Sequence, residues 1–215
     1  PPCQEKTMAF WILLAAGSEA LLPSSRSALL PNRSQGRRTS NPAANLLDAF
    51  MGKKEFAAPC VMGEEDIMAQ KAHGTSATPV QQKLRWNCKV ELADRICNFN
   101  RHYAEPGGSW ERSTTFLQEE EQSTGDITFY DSNTGKPLFY APRERTWEAF
   151  VRESQSHGWP SFRDSEVNWE YVRCLPDGEC VSVDGTHLGH NLPDGSGNRY
   201  CINLVSVAGY PTDGA

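Results

Sequence analysis

Four short stretches in the C-terminal half of the chain carry residues able to do chemistry. "HGWPSF" contributes His157, Trp159 and Phe162, and "DGTHLGH" contributes His187 and His190. "NLPDG" contributes Asp194, and "GNRYCIN" contributes Arg199, Cys201 and Asn203. Residues two apart on a strand project to the same side, so Arg199, Cys201 and Asn203 share a face. A guanidinium beside a thiol favours the thiolate, which is the nucleophilic form. A cysteine in an apolar strand is more often an inert core residue, but a core strand has no use for an arginine and an asparagine on that same face. The His-x-x-His pair alone suits a metal pair, a polar loop or an acid–base pair, because imidazole both ligates metals and exchanges protons near neutral pH. A metal site built from His187, His190 and Cys201, with Asp194 as fourth ligand, is therefore a competing use of the same residues. A tryptophan before a proline, as in Trp159, is by itself more often a packing anchor than a substrate contact.

These residues need strands to bring them together. "DITFYDSNTGKPLFYAP" alternates about an "NTG" turn and predicts a hairpin, and "VNWEYVRCLPDGECVSVDG" predicts a second one about "PDG". "RTWEAFVRESQSHG" has Trp147, Phe150 and Val151 at helical spacing and predicts a short amphipathic helix stopped by Gly158. "NRYCINLVSVAG" predicts a final strand. If that strand pairs with "DGTHLGH", both histidines and Cys201 can lie on one sheet face. The expected fold is mainly β or α+β: two antiparallel sheets with a short helix.

Composition sets outer limits. The chain has 215 residues, of which 38% are hydrophobic, with 17 Gly and 14 Pro, so turns are frequent. Residues 1–47 hold five basic and two acidic residues, while the remainder holds 16 basic and 25 acidic ones. An acidic body argues against a nucleic-acid partner, since phosphate binding needs clustered Lys and Arg. The run "MAFWILLAAGSEA" fits a signal-peptide core and is too short to span a bilayer. Residues 21–47 contain four arginines and no acid, a transit-peptide composition. Residues 1–47 are therefore expected to be a targeting segment for an organelle, a plastid in preference to a mitochondrion, with the cytoplasm as alternative and no membrane in the mature form. Residues 48–92 are expected to be a linker or partly helical extension, 93–209 the domain and 210–215 a tail. Seven cysteines leave at least one thiol unpaired, and no Cys-x-x-Cys occurs.

"GWPSF", "GTHLGH", "LPDG" and "NRYCIN", in that order, resemble the B-type methionine sulfoxide reductases, the peptide-methionine (R)-S-oxide reductases. "TGKPLF" is similar to the family's Cys-Gly-x-x-Leu-Phe segment, so the clear likeness runs from about Phe129 to Ala208. The resemblance implies that Cys201 attacks the sulfoxide sulfur. It implies that His187 and His190 bind and help protonate the sulfoxide oxygen, and that Arg199 stands beside the nucleophile. It gives Asn203 and Asp194 as polar residues of the pocket and Trp159 as the indole against which the substrate methyl packs, and Phe162 of the same segment is a substrate-binding candidate. The implied partners are oxidised protein substrates and a thioredoxin-like reductant, and the implied chemistry needs no bound cofactor beyond an external dithiol. The protein is expected to act as a monomer.

Two departures from the family pattern stand out. Its two zinc-binding Cys-x-x-Cys pairs fall here on Asp131 and Thr134, and on Val181 and Asp184, so no structural zinc is expected. A Cys174–Cys180 disulfide and a free pair are equally open. Its common resolving cysteine falls on His157, which leaves Cys97, and then Cys88, as candidates for that role. These losses keep open an alternative of another class: a non-catalytic binding or scaffold module that retains the reductase fold. The intact set His187, His190, Arg199, Cys201 and Asn203 weighs against it.

Overall fold

The computed structural model describes residues 55–212 except Gln122. The targeting segment expected over 1–47, and nearly all of "NLLDAFMGKKEF", lie outside the described residues. Strands β1 (Ile127–Tyr130) and β2 (Pro137–Ala141) form the first expected hairpin, with Ile127 opposite Ala141. Its turn is closed by the Asp131 carboxylate, which accepts from the Asn133 amide, and by Gly135 in the left-handed region. The second sheet has five antiparallel strands in the order β3-β7-β6-β5-β4. They are β3 (Ser161–Phe162), β4 (Val172–Cys174), β5 (Glu179–Ser182), β6 (His187–Asn191) and β7 (Tyr200–Ile202).

The expected helix spans Trp147–His157. Thr146 caps it by accepting from the Ala149 amide, and Gly158 ends it with φ +88°. Its Phe150 joins Phe129, Phe139 and Phe162 in an aromatic core between hairpin, helix and sheet. Phe139 stacks on Phe162 with ring centroids 4.4 Å apart.

The structure differs from the sequence reading in three places. The final strand is only Tyr200–Ile202; after Asn203 the chain turns into a 3-10 turn, Leu204–Ser206, because a sheet pairing that far would lose the buried Leu204, Val205 and Val207 from the core. Short helices beyond the expected one occur: Val90–Asp94, which runs into a π turn Arg95–Phe99, then Ser109–Arg112 and Phe116–Glu120. The boundary at residue 93 does not separate linker from core. Val80, Leu84, Trp86 and Cys88 are buried in the same cluster as Phe129 and Phe150. The Trp86 indole donates to Glu120 Oε1 at 2.7 Å, and the Arg85 amide donates to the Ala208 carbonyl at 2.7 Å.

Candidate active site

Register across the five-stranded sheet builds the site. Ser161 on β3 is opposite Cys201 on β7, Cys201 is opposite His190 on β6, and His190 is opposite Glu179 on β5. Cross-strand partners project to the same side, so these four make one row on one face. His187 needs a further device, because residues three apart on a regular strand face opposite ways. Between β5 and β6 the register slips: Val181 pairs with His187 but Cys180 pairs with Gly189. The extra residue in β6 is a bulge that restores His187 to the face of His190, and the two rings lie 5.7 Å apart.

The row opens into a cavity of about 260 Å³. His187, His190, Cys201, Asn203 and Trp159 line it, together with Leu192 and the segment Arg101 to Ala104. Arg199 Nη1 donates to Cys201 Sγ, and Ser161 Oγ lies 3.8 Å from the same sulfur. Behind this pair, Arg199 Nε donates to Asp194 Oδ2 at 3.2 Å. Asp194 also accepts from Arg163 at 2.9 Å, and the Arg163 guanidinium holds its carboxyl down at about 2. Asp194 thus supports the arginine of the nucleophile without lining the pocket. Burial, and next the neighbouring His187, push the His190 imidazole below its ordinary value, which favours its neutral form.

Trp159 and Asn203 are both tied to Glu105. The Trp159 indole donates to the Glu105 carbonyl at 2.9 Å, and the Glu105 amide donates to Asn203 Oδ1 at 3.0 Å. The other end of Asn203, its Nδ2, donates to the Leu188 carbonyl in the bulge at 3.1 Å. The sequence reading missed this segment from Arg101 to Glu105. Its only signal was the aromatic and charged density of "NRHYAE".

Not every expected site residue reaches the cavity. Phe162 is wholly buried in the aromatic core: Ser161 faces Cys201, so its neighbour on β3 must face the other way. Cys97 is wholly buried and donates to Ser206 Oγ, and Cys88 is buried beside a different cavity lined by Glu105 and Ser109. Burial pushes both thiols up, away from the reactive thiolate. Among the described residues Cys201 is the one cysteine lining this cavity. Cys174 and Cys180 are cross-strand partners on the opposite face of the sheet, with free sulfurs 3.5 Å apart.

The zinc positions of the family do not fit that metal here. Asp131 is buried and accepts from Thr186 Oγ1 and the Asn133 amide, Asp184 pairs with Lys136, and Val181 offers no donor. Nor do His187, His190, Cys201 and Asp194 converge as ligands, since Asp194 is engaged by two arginines outside the cavity. The described residues hold one group of three carboxylate and imidazole side chains close enough to share an ion, Glu153, His157 and Asp194. The Arg163 guanidinium already bonds both of its carboxylates.

No family model matches the chain. It is 38% identical over 99 residues to a peptide methionine sulfoxide reductase MsrB from Pseudomonas putida (strain W619), covering 42% of this chain and 62% of that protein. A second MsrB, from Pseudomonas syringae pv. syringae (strain B728a), is 41% identical over 91 residues, which is 41% of this chain and 57% of that protein. The MsrB of Escherichia coli O45:K1 is 35% identical over 83 residues, 37% of this chain and 49% of that protein. Over this span the chain is similar to the B-type methionine sulfoxide reductases. It spans about half to three fifths of the length of these reductases.

Proposed function

We propose that this protein reduces methionine-R-sulfoxide in polypeptides to methionine, with Cys201 as nucleophile. The observation that carries this reading is the Arg199 guanidinium donating to Cys201 Sγ in a cavity walled by an indole and two imidazoles. The substrate has the same asymmetry: an apolar methyl beside a strongly accepting oxygen. Trp159 suits the methyl, and His187 and His190 suit the oxygen. Cys201 sulfur attacks the sulfoxide sulfur; the S–O bond breaks as the oxygen passes to Cys201 and the two sulfurs part, which leaves the substrate sulfur two electrons richer. The proton given up by the thiol returns on that oxygen, so thiol plus sulfoxide become sulfenic acid plus thioether. A positioned imidazole lowers the barrier by carrying the proton.

An external dithiol of thioredoxin type then reduces the sulfenic acid to the thiol, releasing water and becoming a disulfide. The burial of Cys97 and Cys88 supports direct attack by that reductant in place of an internal relay. Fold stability without zinc rests on the packed core and on the polar links of Asp131 and Asp184. The N-terminal composition supports action in an organelle, a plastid in preference to a mitochondrion, and the chain is taken to act as a monomer. Among the described residues no helix is long and apolar enough to cross a membrane.

The test is turnover of the two sulfoxide diastereomers with dithiothreitol. Reduction of the R form alone, abolished in Cys201→Ser, is expected. Retained activity in Cys201→Ser, or reduction of neither form, removes the reading in favour of a non-catalytic module.

A further inference from the structure

One buried acid behind the cavity wall has no part in the reaction described so far. Glu179 and His187 are each 2% exposed, and His187 Nδ1 lies 2.6 Å from Glu179 Oε1. The other carboxylate oxygen accepts from Arg101 Nε at 2.8 Å and from Arg101 Nη2, and Arg101 reaches onward to Glu65. A carboxylate buried this deeply is costly to ionise, and a buried ion pair is a weak device for stability. Here it is spent on a ring that lines the cavity. We propose that Glu179 is a positioning residue: its carboxylate accepts a hydrogen bond from the Nδ1–H of His187, so that Nε2 is the nitrogen presented to the sulfoxide oxygen and the thiol. This rests on the reductase reading above.

The chemistry favours such an arrangement. A neutral imidazole has one donor and one acceptor nitrogen, and the partner of one fixes the role of the other. Burial pushes the Glu179 carboxyl up, but His187 and Arg101 outweigh it and hold it below the ordinary range, so it stays an acceptor. With Nδ1–H donated away from the cavity, Nε2 is free to take the Cys201 proton and deliver it to the departing oxygen. No proton is gained or lost in the sum. His190, whose neutral form is favoured, is left to orient the oxygen. The charged and titratable groups that face the pair His187 and His190 are Glu179 and Asp177 on β5 and its turn, Arg101 and His102 on the covering segment, and Arg199 beside Cys201. Glu179 alone among them bonds the His187 ring.

The experiment uses the full chain labelled with 15N-histidine, the His187 signals being identified by their loss in His187→Gln. With the ring neutral, the long-range proton–nitrogen pattern should report the Nδ1-protonated tautomer, which is the minor one in water. The Nε2-protonated pattern overturns the proposal. Glu179→Gln, whose amide can donate to Nδ1, should lose about ten- to a hundredfold in kcat with little change in KM, as removal of a ring's orienting partner does elsewhere. Arg101 keeps Glu65 as partner in that variant. Wild-type kcat in a folded Glu179→Gln protein also overturns the proposal, and if the variant does not fold the wild-type tautomer decides alone. An inactive wild type would end the reductase reading, and the tautomer would still judge the bond between Glu179 and His187.

Discussion

At the scale of single residues, the sequence already spelled out the reactive set but not what supports it. Arg199, Cys201 and Asn203 were legible because strand alternation is strict. Glu179, Arg101 and Glu105 were not, because each is far from the nucleophile in sequence and only the register and a covering loop bring them near. Phe162 was misread for the complementary reason: a motif names neighbours, and alternation sends one of each neighbouring pair to the core. Glu105 carries a prediction of its own. It is buried, and burial raises its carboxyl from 4.5 to about 7, against the lowering effect of the Val205 amide. Between those values the folded chain holds a proton that the unfolded chain has released. Stability is therefore greatest below pH 4.5 with respect to this group and falls as pH rises to 7, by about 3 kcal/mol in all. Glu105→Gln mimics the protonated acid. Its denaturation midpoint should lose that decline between pH 4.5 and 7 and exceed the wild type at pH 8. An unchanged pH profile in urea titrations would assign the slope to other groups.

At the scale of elements, the two hairpins and the helix were legible because turn chemistry and period are local. The bulge in β6 was not. The expectation that both histidines share one face holds only through it: on a regular strand residues three apart face opposite ways, and the mismatch of one residue against β5 puts them side by side. Gly189 lies in that bulge and has a close-approach role. A Cβ there would sit 2.0 Å from the Cys201 carbonyl oxygen and 2.9 Å from the Ile202 Cα, both backbone atoms that cannot rotate away. The strand that carries the histidines is thus pressed against the strand that carries the nucleophile, and only a glycine permits it. Gly189→Ala must push β6 from β7. A loss of about 1–3 kcal/mol is expected from overpacking of this kind, read as a lowered thermal midpoint. A larger loss in kcat should accompany it, since His190 and Cys201 are direct cross-strand partners. A variant with normal stability and turnover would show that the two strands can separate without cost.

At the scale of the whole molecule, the domain expected to begin at residue 93 shares its core with the segment before it, through Val80, Leu84, Trp86 and Cys88. Residues 55–92 carry no sustained period because they are mostly irregular chain with single 3-10 turns, Glu65–Met68 and Arg85–Asn87. Their contribution lies in a few deep anchors. Trp86 is 2% exposed and meets Phe116 edge-on with centroids 4.9 Å apart. Met62 bridges to Cys174 on β4, and Glu65 ends the chain of charges that runs through Arg101 and Glu179 to His187. A chain trimmed to begin at Ala93 would open a void the size of an indole beneath Phe116 and Phe129, leave Glu120 without its indole partner, and expose the edge of β4. Loss of a buried tryptophan alone costs about 3–5 kcal/mol, a large share of the 5–15 kcal/mol by which domains of this size are stable. The trimmed chain should therefore show no cooperative thermal transition. A chain beginning at Glu55 should melt as the full chain does and keep its turnover. Cooperative melting of the chain that begins at Ala93 would restore the boundary the composition suggested, and with it the idea that residues 55–92 are dispensable to the site.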